Sequence, residues 1–482
     1  MRNFDRDSKK LTRNLDSNSK KSNEKTEGVS TILGDPKKAI LKFQPLIIAM
    51  IIAAVNNVFD GIWIAGLGQN ALAAVGFITP LLGIITGLSS GLSNGALSVI
   101  SRFIGSDNKK EADNAAIHIL VLTGIFSLAI MLIIGLFLKP LLAMLGATGV
   151  TLELGLQYGY ILFICSFFPM FTTAAYGILR AEGNIKKTIY AMSIGTILNI
   201  ILDPIFIYVL NMGIIGGSIG TIISLVVASA FLFYWFKKST YIDISFKNFK
   251  YRLSTMKKIL TVGIPGGSEF LIIAILVGLI NMILVKVSGT EGVAVFAAGW
   301  NILLLSIVVL APLPISVITT VGASLGGKKY ENFEIIQNFS MKLGILIASI
   351  LAIGTFILAP YIAGLFTYSP ETTVLNASIV EFLRIMVLFF LFVPIGSVAT
   401  AIFLGLGKGL ESFMLITIRQ LILSVVFAYI LAIPLGFAQQ GVWWGIVIGN
   451  MIGSLIALLW SKLHIKKLIA AENEDYGTKI IN

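Results

Sequence analysis

Residues 187–210 read KTIYAMSIGTILNIILDPIFIYVL, an apolar run long enough to cross a bilayer with Asn199, Asp203 and Pro204 in its second half. A helix needs about 20 apolar residues to span the hydrocarbon. A carboxylate at that depth is costly, so its presence is by default a functional signal. A second run, 39–65, repeats the pattern with Asp60 beyond Pro45.

The rest of the chain has the same character. Of its 482 residues 56% are hydrophobic and only 12% charged, with a mean hydropathy of +0.91. That is more apolar surface than a soluble core can hide. The net charge of +12 does not indicate nucleic acid, because the Lys and Arg lie in tails and short connections rather than on a folded face. The single cysteine, Cys165, excludes an intramolecular disulfide and a cysteine-built metal site.

Twelve runs meet the length requirement: 39–65, 71–103, 115–138, 155–180, 187–210, 213–236, 257–286, 293–325, 336–365, 373–405, 412–435 and 440–463. Every second connection is basic, at Lys109-Lys110, Arg180 with Lys186-Lys187, Lys237 to Lys258, Lys328-Lys329, Lys408, and Lys462 with Lys466-Lys467. Positive loops face the cytoplasm, so both termini are expected there. Residues 1–36 are expected to be a disordered cytoplasmic tail without a secretory leader. The N-terminal lobe is assigned to 37–238, an inter-lobe linker to 239–256, the C-terminal lobe to 257–467 and a second tail to 468–482.

An internal repeat supports two lobes. ALAAVGFITP…SVISRFIG from Ala71 and GVAVFAAGWN…TTVGASLG from Gly292 align without gaps and pair Gly105 with Gly326. On that register Asp60 falls on Asn281, and Pro45 lies one position from the partner of Pro265; LRAEG ending at Gly183 pairs with LGLG ending at Gly407, which sets Asp203 opposite Phe427. Each half holds an even number of spans, so the repeats share one orientation. The expected fold is an all-α integral membrane protein, with twelve transmembrane helices in two pseudo-symmetric six-helix lobes around a central cavity.

Asn199 and Asp203, spaced i,i+4, share one helix face, and Pro204 frees the carbonyl of Ile200. Amide, carbonyl and carboxylate oxygens suit a hard cation such as Na⁺ and suit a proton equally. The second-half partners of Asp60 and Asp203 are Asn281 and Phe427, an asymmetry that favours a site in one lobe over symmetrical scaffolding; a purely structural polar anchor is the plainer alternative. Glu381 and Arg384 read as a packing ion pair, Arg419 with Gln420 as structural, and His118 and His464 as bystanders. Gly322–Lys329 approximates a phosphate-binding loop but has Lys329 at the Ser/Thr position and ends a membrane helix, so it is rejected. No nucleotide module, catalytic triad or zinc site is evident, so an enzyme is not expected.

The order of NNVFDGIWIAGLGQNALAAVG after Pro45, the GSDNKKEA loop, LRAEGNIKKTIYAMSIGTILNIILDPIFIYVLNMGIIGGSIGT and IRQLILSVVFAYILAIPL resembles the multidrug and toxic compound extrusion (MATE) family of cation-coupled efflux transporters. The likeness covers about 38–465 and looks closest to the branch named for DNA-damage-inducible protein F. It implies ion or proton coupling at Asp60, Asn199, Asp203 and Thr221 in the N-terminal lobe, and a helix-bending role for Pro45. Thr173 and Tyr176 stand where relatives of that branch have asparagines. With Asn281 and Glu269 they are candidate cavity residues. The resemblance implies export of amphipathic, often cationic organic compounds in exchange for H⁺ or Na⁺, no cofactor beyond that ion, no metal other than Na⁺ at the same four residues, and a monomer in the cell membrane in contact with lipid. Trp63 and Trp300 are candidate aromatic cavity walls. The alternatives are a lipid-linked oligosaccharide flippase, for which Arg384 and Arg419 would be the deep basic residues, and a channel.

Overall fold

The computed structural model describes residues 26–367 and 373–481. Every regular element among them is helical. Two short helices come first, α1 at 26–33 and α2 at Pro36–Phe43. The N-terminal half continues with α3 (Leu46–Ala65), α4 (Gln69–Gly105), α5 (Lys109–Met144), α6 (Gly149–Ile164), α7 (Phe167–Ala181), α8 (Ile185–Pro204), which runs on as a π-helical turn to Val209, and α9 (Ile214–Lys238). The C-terminal half holds α10 (Leu253–Gly267), α11 (Glu269–Val308), α12 (Pro312–Gly326), α13 (Asn332–Phe366), α14 (Asn376–Gly405), α15 (Gly409–Ile416), a π-helical stretch Thr417–Leu423, α16 (Ser424–Ala432) and α17 (Ala438–Ile481).

Among the described residues ten helices are long and apolar enough to span a membrane, and α6 with α7, bent by 46°, makes an eleventh pass. One of the ten, Leu253–Val308, runs for 56 residues. At 1.5 Å per residue that is about 84 Å, nearly twice a bilayer. Gly289 interrupts it with φ 63° and ψ −152°, a backbone turn open to a residue without Cβ. Its two arms are separate passes, which brings the number to twelve. Exposed Leu, Ile and Phe cover the outer faces, Leu136 and Ile133 among them, as contact with lipid tails requires.

The repeat is visible in the backbone. Asp107 and Lys328, two residues after the paired Gly105 and Gly326, both have φ 54°, and the paired Gly183 and Gly407 have φ 76° and 78°. One apolar core fills the N-terminal lobe. In the C-terminal lobe Trp443 is fully buried, stacked on Phe296 at 5.8 Å and edge-on to Phe382 at 4.7 Å. Trp300 packs onto this same cluster beside Phe296 and Phe389, so it belongs to the lobe core as much as to any cavity wall.

The lobes meet where α4 packs on α10 and α12. Cβ atoms added at Gly91 and Gly87 would run into the carbonyls of Gly263 and Gly267, and one at Gly105 into that of Ala323. Small residues let backbones approach in this way. Gly76, Gly83 and Gly278 have nothing within 4 Å. The seam is therefore shut at the end with the basic loops and opens toward the other; beside its middle, next to Gly87 and Gly267, lies an apolar cleft of about 510 Å³ lined by Thr79, Gly83, Phe126, Ile264 and Phe270 among others.

Three expectations about segments change. Residues 1–25 lie outside the described residues, but 26–36, assigned to the tail, hold helix α1 and the start of α2. Gly28 packs directly on Glu182 and Gly183, Ile40 is buried in the C-terminal lobe's cluster and Phe43 in that of the N-terminal lobe, and Lys329 Nζ donates to the Leu33 carbonyl (2.9 Å). Composition alone marks this stretch as polar; docking across both lobes supplies the burial that orders it. The linker is 239–252, since α10 begins at Leu253, and it is tied to the N-terminal lobe. Asn114 exchanges two hydrogen bonds with the Lys250 backbone. The Arg252 N–H donates to His118 Nε2 (2.9 Å) and the Ile242 N–H to Glu182 Oε2 (2.9 Å). His118 thus holds the linker against the lobe through its ring nitrogen. The helix α17 continues through 468–481 instead of ending as a tail.

Candidate functional site

The polar residues of the N-terminal lobe converge between α3, α8 and α9. Asn56 and Asp60 on α3 repeat the i,i+4 spacing of Asn199 and Asp203 on α8, so each helix presents one amide and one carboxylate to the other. Asn56 Nδ2 donates to Asp60 Oδ2 (3.0 Å) and to Asn199 Oδ1 (2.9 Å). Asn199 Nδ2 donates to Asp203 Oδ1 (2.7 Å) and to Thr221 Oγ1 (3.4 Å). The Thr221 hydroxyl spends its own proton on the Gly217 carbonyl (2.9 Å), which fixes it as an acceptor toward Asn199. The Asp60 and Asp203 carboxyl groups come within hydrogen-bonding reach of each other.

Asn56, Asn199 and Asp203 are buried. Gly220 makes room for the last of these, since a Cβ there would collide with Asp203 Oδ1. Tyr158 lies close enough to feel both carboxylates. Asp60 Oδ1 and Asn56 Oδ1 are buried with no donor. Such acceptors cost stability unless something positive meets them. Two carboxylates in contact repel, and a shared proton or a cation between them relieves the repulsion. Among the described residues no three His, Cys, Asp or Glu side chains gather as a metal cluster, so a hard cation here would rely on amide and hydroxyl oxygens as well as the two acids.

The outer edge of this site is aromatic. Trp63 stacks near Phe59 at 6.2 Å and meets Tyr208 edge-on at 6.3 Å, and the Tyr208 hydroxyl donates to the Trp63 carbonyl (2.5 Å).

The structure brings Asp60, Asn199, Asp203 and Thr221 together and adds Asn56. The same i,i+4 step to an aspartate identifies Asn56 in the sequence, but the neighbouring Asn57 masks which amide faces inward. Other candidates sit apart from the network. Thr173 donates to the Pro169 carbonyl, and Tyr176 lies under the Arg180 guanidinium at 5.7 Å. In the C-terminal lobe Glu269 accepts from Gln420 Nε2 (3.0 Å), and Asn281 Oδ1 is buried without a partner. Pro45 precedes α3 directly, with helical φ −58° and ψ −15°, so α2 and α3 run on through a point where one backbone donor is missing. Glu381 and Arg384 do not pair: Glu381 accepts from Gln440 (2.5 Å) and Arg384 lies over the Phe356 ring at 5.3 Å.

Comparison with known proteins agrees with this architecture. The MatE family model matches residues 45–205 and 268–430. "Multidrug export protein MepA" of Staphylococcus aureus (strain bovine RF122 / ET3-1) is 24% identical over 429 residues, covering 88% of this chain and 92% of that protein. Among solved structures, one described as "Outward-facing conformation of a multidrug resistance MATE family transporter of the MOP superfamily" superposes with a TM-score of 0.90 at 36% identity, over 92% of this chain and 99% of the other. Another, described as "Crystal structure of MATE in the bent conformation", gives 0.88 at 36% identity over the same shares. These relatives are transporters rather than enzymes, and they do not favour the flippase alternative. With its two-lobed twelve-helix architecture and a family match over both halves, the chain belongs to the MATE family of multidrug efflux transporters.

Proposed function

We propose that this chain is a proton-coupled exporter of amphipathic, often cationic organic compounds. Sodium is the alternative coupling ion at the same oxygens. One observation carries the reading: Asp60 and Asp203 face each other inside apolar spans, held by Asn56 and Asn199, with buried acceptors left over. Cation and organic cation compete for that negative charge, and competition for one site is what exchange requires.

The basic end of the bundle is taken as cytoplasmic, which puts both termini in the cytoplasm and the protein in the cell membrane. The gaping end then faces outward, so the arrangement corresponds to an outward-open state. Loading of the acid pair bends the first span about Pro45, narrows the pocket and expels the compound; the lobes then rock to the opposite state.

Drug accumulation in cells lacking their own pumps tests the reading. Asp203→Asn is expected to abolish extrusion at every external pH, and normal extrusion by that variant would refute the coupling role. Replacing the proton gradient by a sodium gradient in proteoliposomes identifies the ion. A stoichiometric proton release on drug addition separates exchange from a channel, which would only follow the drug's gradient.

A further inference from the structure

The linker between the lobes encloses a cavity that the efflux mechanism does not use. It has a volume of about 520 Å³, lies between the linker and the start of α5, and is lined by Lys110, Lys247, Lys250 and Arg252 among others. Its linker wall is fixed through the backbone. The Lys250 N–H donates to Asn114 Oδ1 and the Lys250 carbonyl accepts from Asn114 Nδ2, while the Arg252 N–H donates to His118 Nε2. The backbone is extended at Phe249 and at Arg252. Side chains two apart on such a backbone leave on one side, and Lys250 and Arg252 both reach the cavity.

The charges around this cavity do not cancel. Three acids line it, Glu111, Asp113 and Asp243, and two of them are engaged. Glu111 pairs with Arg252 (2.9 Å); Asp113 pairs with Lys109 (2.7 Å) and accepts from the Asp243 N–H (2.9 Å). The Asp243 carboxylate is left facing Lys110, Lys247 and Lys250, which are exposed and whose ammonium groups have no ion pair or hydrogen bond among the described residues. Cations gathered on one cavity repel one another, and an anion between them relieves the repulsion.

Depth and rim say which anion. The spans Lys109–Met144 and Leu253–Val308 both begin beside the cavity, which places it at the level of lipid headgroups. Aromatic and basic residues interleave along the linker wall, FKNFKYR from Phe246 to Arg252. Phe249 turns inward and packs on His118 at 4.9 Å, whereas Phe246 and Tyr251 are 63% and 65% exposed. Exposed rings beside lysines suit the membrane interface, where an apolar body and a wet edge are both accommodated. We infer that this cavity binds the phosphodiester headgroup of an anionic phospholipid, with Lys110, Lys247 and Lys250 meeting the phosphate oxygens and Phe246 and Tyr251 resting in the interfacial layer. A soluble phosphate offers the same oxygens but nothing to cover those two rings.

Native mass spectrometry of the delipidated full chain in detergent, titrated with phosphatidylglycerol or phosphatidylcholine, reads the binding directly. A phosphatidylglycerol is expected to stay bound at concentrations where phosphatidylcholine does not, and equal retention of the two overturns the inference. Lys247→Gln/Lys250→Gln is expected to weaken phosphatidylglycerol binding roughly thirtyfold; wild-type affinity in that variant overturns it. Lys462→Gln/Lys466→Gln removes two exposed lysines at the same end of the bundle and is expected to bind as wild type does. A loss there as large as in the linker variant would mean attraction to any basic connection, which also sinks the site. Thermal unfolding separates the two sources of phosphate: phosphatidylglycerol is expected to raise Tm and glycerol phosphate at equal concentration to leave it unchanged, and an equal rise with both refutes the lipid. The readout is lipid binding, so it stands or falls separately from the coupling ion of the exporter.

Discussion

Gly105 and Gly326 occupy equivalent places in the two repeats and each packs against the other's helix: a Cβ on Gly105 would strike the Ala323 carbonyl and one on Gly326 the Arg102 carbonyl. Ala323 and Arg102 are themselves repeat partners on the same register. The contact is thus self-complementary, the single-chain counterpart of a two-fold dimer interface. Arg102 adds a bond from its guanidinium to the Leu406 carbonyl (2.7 Å), so the closed end is sealed by backbone approach and one basic side chain.

Replacing Gly326 by leucine is expected to force the lobes apart at this end. Overpacking of this kind costs about 1–3 kcal/mol, and here the cost falls on the closed seam rather than on either lobe core. Spin labels placed on the α4–α5 and α12–α13 turns report the separation. A wider distance distribution with retained helicity is the expected result; an unchanged distribution would mean that the seam tolerates a side chain.

Asn56 is the hinge of the acid network because its one amide nitrogen serves both Asp60 and Asn199. Asn56→Leu removes both donations and leaves two further buried acceptors unpaired, a loss of about 1–3 kcal/mol each. Drug extrusion by this variant is expected to fall strongly, with its pH optimum displaced from that of wild type. An optimum identical to wild type at reduced rate would make Asn56 a packing residue only.

The segment 26–43 spans both lobes at the closed end, and Glu27 faces Lys42 (3.6 Å) and Lys186 (4.0 Å) there. These exposed ion pairs are worth little; the backbone approach of Gly28 to Gly183 matters more. Gly28→Val is expected to undock α1, seen as faster amide exchange in 26–33 and greater protease sensitivity, while the twelve spans keep their protection. Unaltered exchange in that helix would show that the contact at Gly183 does not hold it.

Much of this was legible beforehand because hydrocarbon length and the price of charge in lipid leave few choices. The twelve runs, the break near Gly289 and the pairing of Gly183 with Gly407 follow from apolar length and repeat register alone. Asp60 and Asp203 stood out as charges without a reason to be there. What the sequence concealed depends on tertiary docking. Residues 26–33 look like tail because their stabilisation comes from Gly183 and Lys329, far along the chain. His118 looked idle because its partner is a backbone N–H of the linker.

The linker supplies the last prediction. Glu182, just beyond the end of α7, is buried beneath it, and burial pushes its carboxyl up from the ordinary 4.5 to about 7, although the Ile242 N–H and Asn184 pull the other way. In the unfolded chain the group ionises first, so between these two values the folded state holds a proton that the unfolded state has released. Stability then declines as pH rises through this window and levels off above about 7. Glu182→Gln keeps an acceptor for the Ile242 N–H but carries no titrating proton. Its thermal midpoint is expected to be flatter than wild type's from about pH 4.5 to 7 and higher at the alkaline end, where the wild-type protein must bury a charge. Parallel pH curves for the two proteins would show that the buried carboxyl does not govern how firmly the linker is held to the N-terminal lobe.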